Sequence, residues 1–288
     1  MTNKELLNNI VLKMNKGYYD GERTKNKVEP LHSAMNSLIL ENLGVGFEGH
    51  GYGMADQSEY TLRTNTNSKW RPDGFFHREV SDISLTQPKG GALDYKAPYS
   101  NFWQNNQNAL KTLSGEATKV RPYGNIFGAF IMVQDRIPYF DKDGKFVKLE
   151  NCSKNVVSEW KKWAMTNNSI DGAPDIVGIC VYRLNGFDYN KVFDKDDYAN
   201  ELNEFNGSVD FVEIEGITST DRFIFNDPNL FAENFSKMLK NRFKGTNKSK
   251  SFFELFLETP IAEQEKYLIE HGKLSYVPSS IIRHKNGS

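Results

Sequence analysis

Asp73, Asp94 and Lys96 are the residues of this chain whose types and spacing most plainly could do chemistry. They lie in the segments Pro72-Asp73-Gly74 and Ala92-Leu93-Asp94-Tyr95-Lys96. If both segments are strands, Asp94 and Lys96, two apart, point to one face, where Asp73 on the neighbouring strand can join them. Two carboxylates and one ammonium then converge. Cutting a phosphodiester asks for that set: carboxylate oxygens to hold Mg²⁺, and a cation beside the attacking water and the phosphate charge. The plain structural alternative is a Pro-Asp-Gly turn followed by a solvated strand face.

Other stretches of the chain offer the same residue types without the context. Pro174-Asp175 is a second Pro-Asp pair, but no acid two before a lysine follows it through residue 207. Asp143-Gly144-Lys145 sits in a turn, and Glu159-Trp160-Lys161 falls in a helical stretch, where residues two apart do not share a face. In Leu93-Asp94-Tyr95-Lys96-Ala97 the charges have apolar neighbours. Unpaired charges would be costly there, and a metal with a phosphate would remove that cost. Asp73 beside Asp94 disfavours double ionisation, so the pair is expected to bind protons unusually well until a divalent cation arrives.

The elements that must position these residues can be read from periodicity. Helical spacing recurs over residues 4–14 and from Glu29 to Leu43, where Leu31, Ala34, Met35, Leu38 and Ile39 form one apolar face. Pro30 suits the first turn, and Gly44 ends the helix. Residues 44–70, rich in Gly, Thr, Ser and Asn, read as a long loop. Gly74 to Val80 and Gly91 to Ala97 read as strands of an antiparallel hairpin turning at Gln87-Pro88-Lys89-Gly90. Asn101 to Leu113 reads as a helix and Ile126 to Val133 as a buried strand, a strand-helix-strand crossover. Asp141-Lys142-Asp143-Gly144 is a turn before a short strand, Phe146 to Leu149. Helices follow at Val156 to Met165 and Leu230 to Phe243, with shorter helical pieces to about His271. Strands are expected at Ile176 to Leu184 and Val209 to Glu215. The fold class expected is α/β, a central mixed β-sheet flanked by helices.

The acids and lysine, with this order of elements, resemble the PD-(D/E)xK nuclease superfamily. Asp73 matches its first acid, Asp94 its second and Lys96 its lysine. Many members also carry a glutamate early in the first helix, and Glu29, ahead of an apolar face ending in Leu43-Gly44, looks like that feature. An acid favoured at a helix N-terminus explains Glu29 equally. The resemblance covers residues 25–150 as a catalytic core. Residues 151–288 would complete a single domain with further strands and helices for DNA recognition or dimerisation. It implies a Mg²⁺-dependent endonuclease acting on double-stranded DNA, most like a type II restriction enzyme of a restriction-modification pair. Asp73 and Asp94 would bind metal, Lys96 would activate water, and 5′-phosphate and 3′-hydroxyl ends would result. Alternatives are a structure-specific repair, recombination or phage nuclease, and a non-catalytic DNA-binding or assembly protein.

Amides at Asn101, Gln104, Asn105, Asn106, Gln107 and Asn108 follow the lysine strand directly and could read base edges, adenine above all. Lys240, Arg242 and Lys244 belong to a run of bases that could touch phosphates. A polar helix face and a solvated helix end are the bland readings of the two groups. Palindromic DNA would be met by a homodimer. A net charge of -1 gives no global attraction for nucleic acid and argues against a histone-like protein. Hydrophobic residues at 38% and charged residues at 25% describe a folded globular chain. Cys152 and Cys180 lack the spacing of a zinc ribbon or redox pair, so reduced thiols in a cytoplasm are expected. No signal peptide, membrane span or phosphate loop is read, hence no membrane and no nucleotide cofactor. Asp141-x-Asp143-Gly144 lacks the twelfth-position glutamate of a calcium loop, since Cys152 stands there. Glu213 and Glu215 read as an exposed strand face, and His77 as an exposed strand histidine near the acids.

Overall fold

The computed structural model describes residues 1–20, 27–54, 62–63, 69–78, 90–167 and 172–243. The elements run in chain order as helices α1 (Asn3–Asp20) and α2 (Glu29–Leu43), strands β1 (Phe47–Gly51), β2 (Leu62–Arg63), β3 (Lys69–Trp70), β4 (Gly74–Arg78) and β5 (Gly90–Lys96), and helix α3 (Phe102–Val120). Strands β6 (Ile126–Gln134), β7 (Arg136–Phe140) and β8 (Phe146–Asn151) come next, then α4 (Lys154–Ala164), β9 (Ile176–Leu184), α5 (Lys195–Glu204), β10 (Val209–Phe211), β11 (Phe223–Phe225) and α6 (Pro228–Phe243).

The main sheet has seven strands in the order β1-β4-β5-β6-β9-β10, with β11 also on β9. β1, β4 and β5 are antiparallel neighbours, whereas β5, β6 and β9 run parallel, so the sheet is mixed. β10 pairs antiparallel with the C-terminal end of β9, and β11 parallel with its N-terminal end, which completes the sheet from the second half of the chain.

Two apolar layers cover the sheet, and alternation along the strands assigns residues to them. Phe127, Ala129, Ile131 and Val133 of β6 face α3 and α4, whereas Phe130 and Met132 face the layer of α1, α2, α5 and α6. All nine residues of β6 are buried, as a central parallel strand requires. Gly178 on β9 lets this second layer come close, because a Cβ there would lie 2.7 Å from the Phe231 ring.

α2 begins at Glu29 with Pro30 in its first turn and stops at Gly44, whose φ of 72° suits a residue without a Cβ. Three expectations need correction. Residues 44–70 contain β1, an edge strand carrying two glycines, and its pairing with β4 rests on backbone register rather than apolar alternation. α3 does not stop at Leu113. Ala117 and Val120 keep its apolar stripe going past Gly115, to which little is packed. β10 ends at Phe211, and a turn at Gly216 (φ 78°) takes the following residues off the sheet. The helical pieces expected after Phe243 lie outside the described residues. No helix among the described residues is long and apolar enough to cross a membrane.

Candidate active site

The antiparallel register of β4 and β5 pairs Gly74 with Leu93, so Asp73, one residue before β4, arrives beside Asp94. Asp73 Oδ2 accepts a hydrogen bond from the Tyr95 backbone N–H at 2.9 Å, which fixes its carboxyl over the end of β5. Asp94, 4% exposed, points with Lys96 toward the α3 side, and Lys96 Nζ donates to Asp94 Oδ2 at 3.2 Å. The Asp73 and Asp94 carboxyls are within hydrogen-bonding reach of each other. The three residues singled out by spacing therefore meet.

Gly74 has a reason to follow Asp73. A Cβ there would collide with the side chain of Asn36, which is fully buried on α2. Asn36 ties the site together: its Nδ2 donates to the Asp73 carbonyl at 3.1 Å and to the Tyr52 carbonyl at 3.3 Å, and its Oδ1 accepts from the Tyr95 hydroxyl at 2.6 Å. Asn36→Leu removes all three bonds, one of them the buried bond to the Tyr95 hydroxyl. It is expected to lower the unfolding free energy by about 2–4 kcal/mol, measured by urea titration.

Two further residues belong to the cluster. Glu116 of α3 reaches Asp94, and no donor among the described residues meets its buried Oε2. His32 of α2 is buried, with Nε2 3.7 Å from Asp73 Oδ2. Sequence reading missed both. Glu116 lies beyond Leu113, where the expected helix stops, although Asn105, Asn108, Thr112 and Glu116 keep helical spacing and reveal it. His32 was passed over because no second histidine stands near it in sequence.

Burial and neighbouring charge divide the acids. Burial first, and then the Asp94 charge, raise Asp73 to about 8. Glu116 rises to about 9, again mainly by burial and by its hydrogen bond to Asp94. Asp94 itself is held low, because hydrogen bonds from Glu116 and Asp73 and the Lys96 ammonium favour its charged form over the opposing effect of burial. Lys96 stays protonated. Burial works against its charge, but Asp94, Glu116 and Asp73 outweigh it and raise its pKa. His32 is lowered to about 4 by burial and is neutral at pH 7. At pH 7 the cluster thus holds one ionised carboxylate, two protonated acids and an ammonium.

Above this cluster opens a cleft of about 790 Å³ whose lining includes Glu29, His32, Asp73, Lys96, Lys27 and Arg71. Glu29 stands on the cleft wall in the first turn of α2 and is not among the leading influences on the acids. The amides of α3 scatter. Asn105, Asn106 and Asn108 line the cleft, Asn105 Nδ2 donating to the Ser100 carbonyl, and Gln104 is exposed. Gln107 reaches Glu159 on α4 at 3.4 Å. Asn101, at φ 50°, pins the start of α3 to β7 by accepting from Phe140 N and donating to Phe140 O. Asn106 is buried and accepts from Trp160 Nε1 at 2.7 Å. Lys240 donates to the Asn42 carbonyl, at the opposite end of α2 from Glu29 and His32. Fifteen residues of helix put about 20 Å between those ends. Arg242 lies against Gly124, and Lys244 is outside the described residues.

Other candidate motifs have structural explanations. Asp175 accepts from Phe127 N and pairs with Arg121 at 3.5 Å. Asp141 Oδ1 accepts from the Asp143 and Lys145 amides, closing the β7–β8 turn. Both cysteines are free thiols, Cys180 buried. No protein-family model, curated protein or solved structure matches this chain.

Proposed function

We propose that this chain is a Mg²⁺-dependent endonuclease of double-stranded DNA, of the PD-(D/E)xK kind and most like a type II restriction enzyme. The observation carrying this reading is the meeting of Asp73 and Asp94 with Lys96, whose Nζ is 3.2 Å from Asp94, beneath a cleft lined by further cations.

The donor set suits a hard cation. Asp73 and Asp94 would hold Mg²⁺ through carboxylate oxygens, with Glu116 as a third oxygen donor within reach of Asp94. When bound, the ion would supply Lewis-acid polarisation of the phosphate and a more acidic water. The Lys96 ammonium, held protonated by the acids around it, orients the attacking water and faces the negative charge that develops on phosphorus. Asp73 and Glu116 would release their protons to solvent on holding the ion. Lys27 and Arg71 on the cleft lining favour the phosphate backbone, and Asn105 and Asn108 place amides where bases would pass. Water attack and P–O3′ cleavage leave a 5′-phosphate and a 3′-hydroxyl, as the resemblance implies. A homodimer would match a palindromic target.

The test is supercoiled plasmid incubated with Mg²⁺, with Ca²⁺ in its place, and with Lys96→Ala. Discrete fragments with Mg²⁺ only, formed at least about a hundredfold more slowly by Lys96→Ala, are expected. A smear would point to a less specific nuclease of the same chemistry. Intact plasmid with retained binding would leave a DNA-binding protein without hydrolytic activity.

A further inference from the structure

A second constellation sits on the edge of the sheet, apart from the acid cluster. Glu48 and His50 are on β1, and His77 is on β4 opposite Glu48, with His50 opposite Phe75. Alternation puts all three side chains on one face. His50 Nε2 and His77 Nε2 are 2.8 Å apart, with the rings stacked at 13°. Glu48 Oε2 is 3.6 Å from His77 Nε2, and one ligand atom from each residue lies within 4.8 Å of the others.

The second contact of His77 decides what the group can do. His77 Nδ1 is 2.9 Å from the Arg78 carbonyl, which can only accept, so Nδ1 carries the proton and Nε2 presents its lone pair toward His50 and Glu48. A backbone carbonyl fixing the tautomer of an imidazole in this way is the usual support behind a metal-ligating histidine.

We propose that Glu48, His50 and His77 bind one divalent first-row transition ion, Zn²⁺ foremost, leaving a coordination position open to water. Tetrahedral Zn²⁺ with bonds of about 2.0–2.2 Å spaces its ligand atoms about 3.3–3.5 Å apart. The Glu48–His77 distance is already near that, and the imidazoles need to part by roughly half an ångström. His50 moves its proton from Nε2 to Nδ1 to ligate, so both imidazoles bind neutral and Glu48 supplies the only ligand charge. Two nitrogens and one oxygen select zinc, nickel or copper over magnesium, whereas the all-oxygen acid cluster does the reverse. Asp73 and His77 are four residues apart along an extended chain, about 13 Å, so the sites cannot share an ion. The Glu48 side chain is 49% exposed and that of His77 12%, which leaves a path from solvent. Bound there, the ion clips edge strand β1 to β4, and β1 ends in Gly51 on the cleft lining.

The full chain, stripped with chelator, is titrated with Zn²⁺ by calorimetry and with Co²⁺ by visible absorption, in the presence of excess Mg²⁺. One equivalent of Zn²⁺ per chain and intense tetrahedral Co²⁺ bands are expected. His50→Ala and His77→Ala should lose both signals, Glu48→Gln should bind at least tenfold more weakly, and Asp94→Asn should bind as the parent does. Circular dichroism establishes that each variant is folded, and Glu48→Gln serves if a histidine variant is not. Equal Zn²⁺ affinity in the parent and a folded His50→Ala or Glu48→Gln chain would overturn the assignment, as would loss of the signal in Asp94→Asn or a folded parent that takes up no Zn²⁺. None of these readouts depends on DNA cleavage.

Discussion

Asp73→Asn is expected to slow Mg²⁺-dependent DNA cleavage by about 10³-fold or more, some 4 kcal/mol of lost transition-state stabilisation, without lowering the thermal stability of the metal-free protein at pH 7. The two halves of that expectation come from one geometry. With its pKa raised to about 8, Asp73 carries a proton at neutral pH, accepts from Tyr95 N through Oδ2 and shares a hydrogen bond with Asp94. An asparagine amide reproduces this pattern, since its carbonyl accepts from the same N–H and its NH₂ donates to the Asp94 carboxylate. It cannot deprotonate, so the charge needed to hold a divalent ion is gone. Above pH 8 the variant should melt higher than the parent, because the carboxylate repulsion it removes is then fully expressed. Initial cleavage rates and metal-free melting curves at pH 7 and 9 check both. Cleavage within tenfold of the parent would remove Asp73 from the metal site.

Much of this arrangement is legible in the sequence where burial is two-sided. α2 and β9 fall on the residues that periodicity marks, Glu29–Leu43 and Ile176–Leu184, because one buries a continuous helical stripe and the other lies under helices on both faces. The antiparallel pairing of β4 and β5, whose expected turn at residues 87–89 lies outside the described residues, is legible for another reason. Its charged residues are placed by strand alternation, which needs no knowledge of the third dimension beyond one register. What escapes reading depends on partners distant in sequence. β1 carries Phe47-Glu48-Gly49-His50-Gly51, which shows no apolar alternation, and becomes a strand because β4 offers an open edge. β7 holds Pro138 and, among the described residues, pairs only with β8.

The same division runs through the site. Asp73, Asp94 and Lys96 announce themselves by local spacing, whereas His32 and Glu116 reach the cluster from helices on opposite faces of the sheet. Asn36, which looks like any of several polar residues on α2, binds the Asp73 carbonyl, the Tyr52 carbonyl and the Tyr95 hydroxyl at once. The amides after the lysine strand show the converse. Six amides between residues 101 and 108 look alike in sequence, yet Asn101 is taken up by Phe140, while Asn105, Asn106 and Asn108 line the cleft, the first bonded to the Ser100 carbonyl and the second to the Trp160 indole.

The protonated acids also set how stability should respond to pH. Asp73 and Glu116 keep their protons in the folded chain up to about 8 and 9, whereas in the unfolded chain they lose them near their ordinary values of 3.8 and 4.5. The folded state therefore binds more protons across that window, and metal-free stability falls as pH rises through it, by at most about 1.4 kcal/mol per pH unit for each acid. His32 acts the other way. Its pKa is depressed from 6.5 to about 4, so only the unfolded chain takes up that proton between the two values, and stability falls there as pH falls. His32 thus offsets one acid below pH 6.5, and the steepest loss in metal-free stability is expected between about 6.5 and 8. Asp73 keeps a quarter of its side chain exposed, so water softens its share. If Mg²⁺ is held as proposed it binds the deprotonated acids, and its stabilising effect should accordingly grow from pH 6 to pH 8 as fewer protons have to be expelled. Melting temperatures with and without Mg²⁺ across that range test the growth. Calorimetry at pH 7 in buffers of different ionisation enthalpy tests the proton release, expected at about one per ion or more. A Mg²⁺ stabilisation equal at pH 6 and pH 8, with no proton released, would mean that the ion does not displace protons from Asp73 and Glu116, and the acid cluster would lose its claim to be the metal site.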